Sequence, residues 1–283
     1  MRIALTANLK SGGGLDPEPL AAAMREAGAE VELFGCEPEA LEAAAAAGPD
    51  RIAVAGGDGT IGPAAELAGR LDVPLAVIAT GTANDFARAN GLPEDPLEAA
   101  ALAAGSTRTR RLELGRLADG RPFVNAASAG LAAKAARHAS PFKKVLGPLA
   151  YGVGALRAAA TESPMHCTVR VDGESVFEGG AWQVIVAATG AFGGGSEIGA
   201  ADARDGVLDV AVLPAGSRLA LARRAWGLRR GTVEQQRPVE HLRGSLLEIE
   251  LPRGAELNVD GEIRDGGLER VTVEHAAYAL IVP

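Results

Sequence analysis

Along the first hundred residues, short apolar runs alternate with stretches in which apolar residues recur every three or four positions. The runs at 2–7, 30–34, 51–55 and 74–79 read as β-strands, and the stretches at about 17–27, 38–47 and 60–70 as helices between them. Asp16-Pro17 offers an N-cap followed by proline at the first helical position, and Gly28 and Gly48 fall where helices should end. Strands alternating with helices at this spacing predict an α/β unit built on a doubly wound, mostly parallel sheet, whose ligands sit at the carboxyl ends of the strands. Three glycine-rich polar loops follow three of these strands: Asn8–Gly14, Gly56–Thr60 and Thr80–Asp85. They should share one edge of the sheet.

From about residue 108 the pattern changes. Short β-like runs at 110–117, 123–125, 167–171, 182–188, 208–213, 246–251, 256–259 and 270–273 are separated by turn signals such as Asp172-Gly173, Asp205-Gly206 and Asp260-Gly261. This pattern predicts a second, mainly antiparallel β-sandwich domain. The expected division is 1–110 for a nucleotide-binding α/β domain and 111–283 for a β-rich substrate domain, with the last few residues free to return to the first.

Charge changes the picture more than composition does. The net charge of −8 argues against nucleic acid as a partner. Yet residues 120–161 hold six bases and no acid, and residues 210–233 hold five bases and no acid. Two acid-free stretches in an acidic chain, both predicted as helices, read either as solvated faces or as surfaces for an anionic bilayer. Two cysteines without a CxxC partner, Cys36 and Cys167, read as small buried hydrophobes in a reducing compartment, and the four scattered histidines do not suggest a metal site. The opening Met1-Arg-Ile-Ala-Leu-Thr reads as a strand rather than a leader, and no apolar run reaches the roughly 18 residues of a membrane span. The expectation is a cytoplasmic protein in peripheral contact with a membrane.

The candidate chemistry begins at Gly56-Gly-Asp-Gly-Thr60, where a β-like run empties into glycines that let backbone N–H groups approach a polyanion. Asp58 places a carboxylate among them, which suits a bound Mg²⁺ or a proton to be abstracted. Gly57-Asp-Gly-Thr-Ile-Gly62 also fits a dinucleotide fingerprint, but two βα units precede it and no acid closes the next strand. No GxxxxGK[ST] occurs, which excludes a P-loop kinase.

Gly56–Thr60, followed by Thr80-Gly-Thr-Ala-Asn-Asp-Phe-Ala-Arg88, resembles the diacylglycerol kinase catalytic family. That family includes bacterial lipid kinases and is related to sphingosine kinases. Further matches follow in order: Phe123–Gly130, Gly193–Gly195, Asp205-Gly-Val-Leu-Asp-Val210 and Val259-Asp-Gly-Glu262. NAD kinases share the first motif, but the second is typical of the lipid kinases.

The resemblance implies ATP over the first loop, with Gly56, Gly57, Gly59, Thr60, Gly81, Thr82, Asn84, Asn8, Ser11 and Glu262 as nucleotide-binding candidates. It implies Mg²⁺ with Asp58, Asp85 and Asp205 as metal candidates, a membrane lipid as acceptor, and Asp260 as general base, for which Asp58 competes; Asp85 completes the catalytic candidates. Asp85 also has the plain reading of a helix N-cap, and Asp205 that of a turn residue, while Asp209 reads as a strand position. Homodimerisation is compatible with this reading. The opening loop departs from the family's usual N-P-x-S-G, since Asn8-Leu-Lys-Ser-Gly12 lacks the proline and Gly13 stands where a base is expected; Ala200 replaces a usual proline. A NAD-kinase-like enzyme for a soluble metabolite, or a nucleotide-binding regulator without turnover, are the competing functions.

Overall fold

β1 (Arg2–Ala7) and β3 (Arg51–Gly56) lie side by side and parallel, with β2 (Glu30–Phe34) beyond β1 and β4 (Leu75–Ala79) beyond β3. The chain steps outward from β1 to β2 and then returns past β1 to form β3, so the strand order reverses between β1 and β3. In an open parallel sheet that reversal marks where ligands bind, outside the carboxyl ends of the strands. In the computed structural model, residues 1–7, 16–131, 133–134, 161–198, 201–236 and 239–283 are described. Two units separate: Met1–Leu114 with His275–Pro283, and Gly115–Glu274.

In the first unit β3 and β4 are buried along their whole length, as strands sandwiched between helices must be. The covering helices are α1 (Glu18–Glu26), α2 (Pro38–Ala46), α3 (Asp58–Leu71), the short α4 (Asp85–Ala89) and α5 (Pro96–Gly105). Asp16 accepts the Glu18 N–H at 3.0 Å from one residue ahead of the α1 cap position, which Pro17 takes in place of the expected Asp16. Gly28 closes α1 with φ +88, and the Ala29 N–H reaches back to the Met24 carbonyl, the doubled-back exit that favours glycine. The core is alanine-rich: Ala21, Ala53, Ala76, Ala100 and Ala103 pack with Ile3, Leu5, Leu20, Met24 and Ile78.

The second unit is antiparallel throughout its paired strands. After β5 (Thr109–Leu117), which starts in the first unit, come β6 (Pro122–Phe123), β7 (Ala126–Gly130), β8 (Met165–Val171), β9 (Glu174–Ala187), a two-residue pair β10 and β11 (Ala191–Phe192, Ser196–Glu197), and β12 (Leu208–Pro214). Next come helix α6 (Arg218–Arg229), β13 (Glu240–Gly244), β14 (Leu246–Glu250), β15 (Glu256–Val259), β16 (Glu262–Asp265) and β17 (Leu268–Ile281).

Alternation sorts the two faces of this sheet. Val184, Val186, Val210 and Val212 enter one core with Leu247 and Ile249, while Ile185, Ala211 and Leu213 face the other way onto Leu221 of α6. β17 closes both units in sequence: Val271 and Thr272 pair with β14, and Leu280 lies parallel beside Leu75 of β4.

Two turns behave as expected and one does not. Asp172-Gly173 and Asp260-Gly261 close tight hairpins, all four residues having positive φ as a two-residue hairpin turn requires. Asp205-Gly206 closes no hairpin; it leads into β12 from an irregular stretch. The run at 123–125 is also broken: β6 ends at Phe123, Val124 and Asn125 form a bend, and β7 begins at Ala126. Among the described residues, no helix is long and apolar enough to cross a membrane. Of the predicted basic segments, 218–230 is largely helix α6, whereas most of 120–161 lies outside the described residues.

Candidate active site

The loops after β3 and β4 touch backbone to backbone. A Cβ placed on Gly81 would lie 2.6 Å from the Gly57 Cα and 3.0 Å from Asn84 Oδ1. No side chain fits there, so glycine at 81 is required by the packing of one loop on the other. The Thr80 N–H also donates to the Gly56 carbonyl at 2.9 Å, carrying the strand ladder into the loops. Thr60, on the first turn of α3, turns its hydroxyl inward and donates to the Gly57 carbonyl at 2.7 Å.

Asp58 ties the loops together. Its Oδ1 accepts the Phe86 N–H at 2.9 Å and its Oδ2 the Asp85 N–H at 3.2 Å, so a carboxylate from α3 takes up the first N–H groups of α4. Those groups have no partner within a helix, and a negative charge at a helix start is favourable. Asp85 itself is not the cap: it is the first helical residue, buried, and its carboxylate pairs with Arg88 one turn on. The cap position belongs to Asn84, held at φ 52 with no capping hydrogen bond from its side chain. Asn84 Oδ1 is buried without a hydrogen-bond partner among the described residues. A buried orphan acceptor at the rim of a glycine cradle is a place for a ligand donor. Thr82 is exposed in the same loop. Asn8 and Ser11 of the first loop lie outside the described residues, as do Lys10 and Gly13.

In the second unit Asp260 occupies the β15–β16 turn at φ 46. Its carboxylate accepts three backbone N–H groups, from Val124 at 2.8 Å, Asn125 at 2.9 Å and Ala126 at 3.0 Å. These bonds draw the chain out of strand geometry at 124–125, which explains the broken β6–β7 run. The bend is braced further where Thr189 donates to Asn125 Oδ1 at 2.8 Å. Glu262, the first residue of β16, pairs with Arg264 two residues on.

Asp205 pairs with Arg243 and accepts the Val207 N–H at 3.2 Å. Behind it Asp209, fully buried on β12, contacts His241 Nε2 at 2.6 Å, a partnership that strand spacing alone did not reveal. The Asn125–Thr189 contact was likewise missed, although the motif Phe123–Gly130 had marked that stretch.

No three His, Cys, Asp or Glu side chains among the described residues converge closely enough to hold a metal unaided. Asp58 and Asp85, the first residues of α3 and α4, are hard oxygen donors in the first unit, which fits Mg²⁺, an ion usually bound by one or two carboxylates together with substrate phosphates. Asp205 belongs to the second unit.

The parallel sheet with glycine loops after β3 and β4, followed by an antiparallel unit, is a fold with counterparts among solved structures. It is shared with a Bacillus anthracis structure described as a diacylglycerol kinase (TM-score 0.73, 23% identity, covering 100% of this chain and 97% of that one) and with an Archaeoglobus fulgidus NAD kinase solved with ATP (TM-score 0.54, 17% identity, 100% and 93%). The chain belongs to the diacylglycerol kinase catalytic domain family, whose profile matches residues 2–117, and its residues 125–282 match the YegS C-terminal NAD kinase beta sandwich-like domain. A Pseudomonas aeruginosa protein named "Probable lipid kinase YegS-like" is 32% identical across 100% of this chain and 94% of its own length. The Bacillus subtilis protein named diacylglycerol kinase is 29% identical over 75% of this chain and 71% of its own.

Proposed function

We propose that this protein is an ATP- and Mg²⁺-dependent lipid kinase that transfers the γ-phosphoryl group to the hydroxyl of diacylglycerol or a similar lipid, working from the cytoplasm at a membrane surface. The observation that carries the reading is the Asp58 clamp, which joins the start of α3 to the start of α4 beside the two packed glycine loops. The names of these two relatives support a lipid acceptor.

In this reading the backbone around Gly56, Gly57 and Gly59 lies against the phosphates, and the orphaned Asn84 Oδ1 receives a donor from the nucleotide. Asp58 and Asp85 would hold Mg²⁺, which when bound would neutralise charge developing on the phosphates, and Asp205 is the further metal-linked carboxylate of this reading. Asp260, fixed by three N–H groups, takes the proton from the acceptor hydroxyl as its oxygen bonds to the γ-phosphorus and the bond to ADP breaks. Asp58 serves the donor side, since its carboxylate seats α4. Glu262 contributes near the nucleotide.

The test incubates purified protein, Mg²⁺ and γ-labelled ATP with a panel of lipids in mixed micelles and, separately, with NAD. Label in a lipid fraction, abolished by Asp58→Asn, is the expected result. Label in NAD alone moves the protein to the NAD-kinase-like class. ATP binding with no transfer to any acceptor makes it a regulator, and either outcome overturns the lipid-kinase reading.

A further inference from the structure

Helix α6 is anchored on one side and bare on the other. Leu221 and Gly227 are buried, Leu221 against Leu213, Trp182 and Val233. Three of its arginines face the protein. Arg224 is buried and donates to the Pro214 carbonyl, Arg229 donates to the Gly194 carbonyl, and Arg218 lies over the Trp182 ring, 5.9 Å from its centre. Burial pushes the Arg224 guanidinium below its ordinary pKa, yet it stays charged at any physiological pH.

The other side is different. Leu219, Arg223, Trp226 and Arg230 recur at i, i+4, i+7 and i+11, which places them in one line along the helix. Leu219 is 82% exposed and Trp226 60% exposed, the two most exposed large apolar residues among those described. Arg230 stacks on Trp226 with its guanidinium carbon 4.7 Å from the ring centre. No acidic residue occurs between 210 and 233. Exposing a leucine and a tryptophan costs solvation free energy that a purely solvated helix would avoid.

We propose that this outer line of α6 is the surface by which the protein docks on an anionic lipid bilayer, resting on the lipid-kinase reading above for the need to meet such a surface. Trp226 and Leu219 enter the headgroup layer, where an amphipathic ring is favoured, while Arg223 and Arg230 reach lipid phosphates. Charge complementarity selects this occupant. A second copy of the chain would have to bring the same basic line against itself, and arginine would face arginine.

The experiment uses the full chain with vesicles of phosphatidylcholine alone or mixed with phosphatidylglycerol. Trp226 supplies its own signal, since the other tryptophan, Trp182, is already buried. Anionic vesicles should shift the emission to the blue and carry the protein in flotation; neutral vesicles should do neither. Arg223→Glu with Arg230→Glu should lower partitioning about 100-fold or more, and Leu219→Ala with Trp226→Ala should lower it and remove the shift. Both pairs change only exposed side chains, so circular dichroism and melting should match the parent, and phosphorylation of a short-chain diacylglycerol dissolved as monomer should persist. Unchanged anionic binding in the double Arg→Glu variant overturns the inference, as does dissociation of a dimer by that variant with vesicle binding intact. Vesicle binding that depends on α6 in a protein that phosphorylates no lipid upholds the docking surface and overturns the kinase assignment instead.

Discussion

Gly57 and Gly81 stand so close that a side chain beginning at Gly81 would come within 2.6 Å of the Gly57 Cα, whereas one beginning at Gly57 would meet the Gly81 Cα at an ordinary 3.5 Å. The contact is therefore asymmetric. Gly81→Ala should force the loops apart at a cost of about 1–3 kcal/mol, and Gly57→Ala should cost less than about 1 kcal/mol. Urea unfolding of both variants checks this, and equal midpoints would refute it. Activity should divide differently: Gly81→Ala should lower kcat/KM roughly 10- to 100-fold, mostly through KM for ATP, because it displaces the cradle and not the reacting groups.

Asp260 invites a three-way comparison. Alanine strands three buried N–H groups and imposes φ 46 on a residue that resists it, so Asp260→Ala should lose about 3 kcal/mol or more. Asn tolerates the left-handed turn and keeps one acceptor oxygen, so Asp260→Asn should lose about half as much. If the carboxylate is the base, kcat in Asp260→Asn should still fall about 100-fold or more. A variant as stable as expected and fully active would remove Asp260 from the chemistry and leave it as a brace for the bend at 124–125.

Acid should loosen the β8–β9 turn. Asp172 Oδ1 accepts the Leu246 N–H at 2.9 Å and the Ser245 N–H and hydroxyl at 3.1 Å. The Leu246 bond, above all, holds its carboxyl below the usual carboxylate range. A pKa lowered by folding contributes stability that is complete above the unfolded value, roughly 3.9, and is lost as pH falls through the folded one. The stability gap between the parent and Asp172→Asn should therefore be open at pH 7 and narrow towards pH 3. A gap independent of pH would refute the argument.

What the sequence disclosed depended on how local the cause was. The four parallel strands and the glycine exits of α1 and α2 were readable because hydrophobic period and turn chemistry act within a few residues. The α5 segment escaped notice: nearly all alanine and leucine, it shows no polar face to mark a period, although Asp95-Pro96 gives a start like that of α1. Phe123–Asn125 failed as a strand because its geometry is set by Asp260, well over a hundred residues away. The same holds at the site. Asp58 and Asp85 were recognisable as a pair of carboxylates, but only the fold shows one of them seating the helix that begins with the other.

The last strand has a consequence for how the molecule is made. Leu280 of β17 lies beside Leu75, and residues 275–283 belong to the first unit although residues 115–274 intervene. On the ribosome, the α/β sheet must therefore wait with β4 open along one edge while the whole intervening unit is translated, roughly 10–30 s at ordinary rates of synthesis. Nascent chains of that length present an apolar strand edge that chaperones can read, and only the arrival of residues 275–283 removes it.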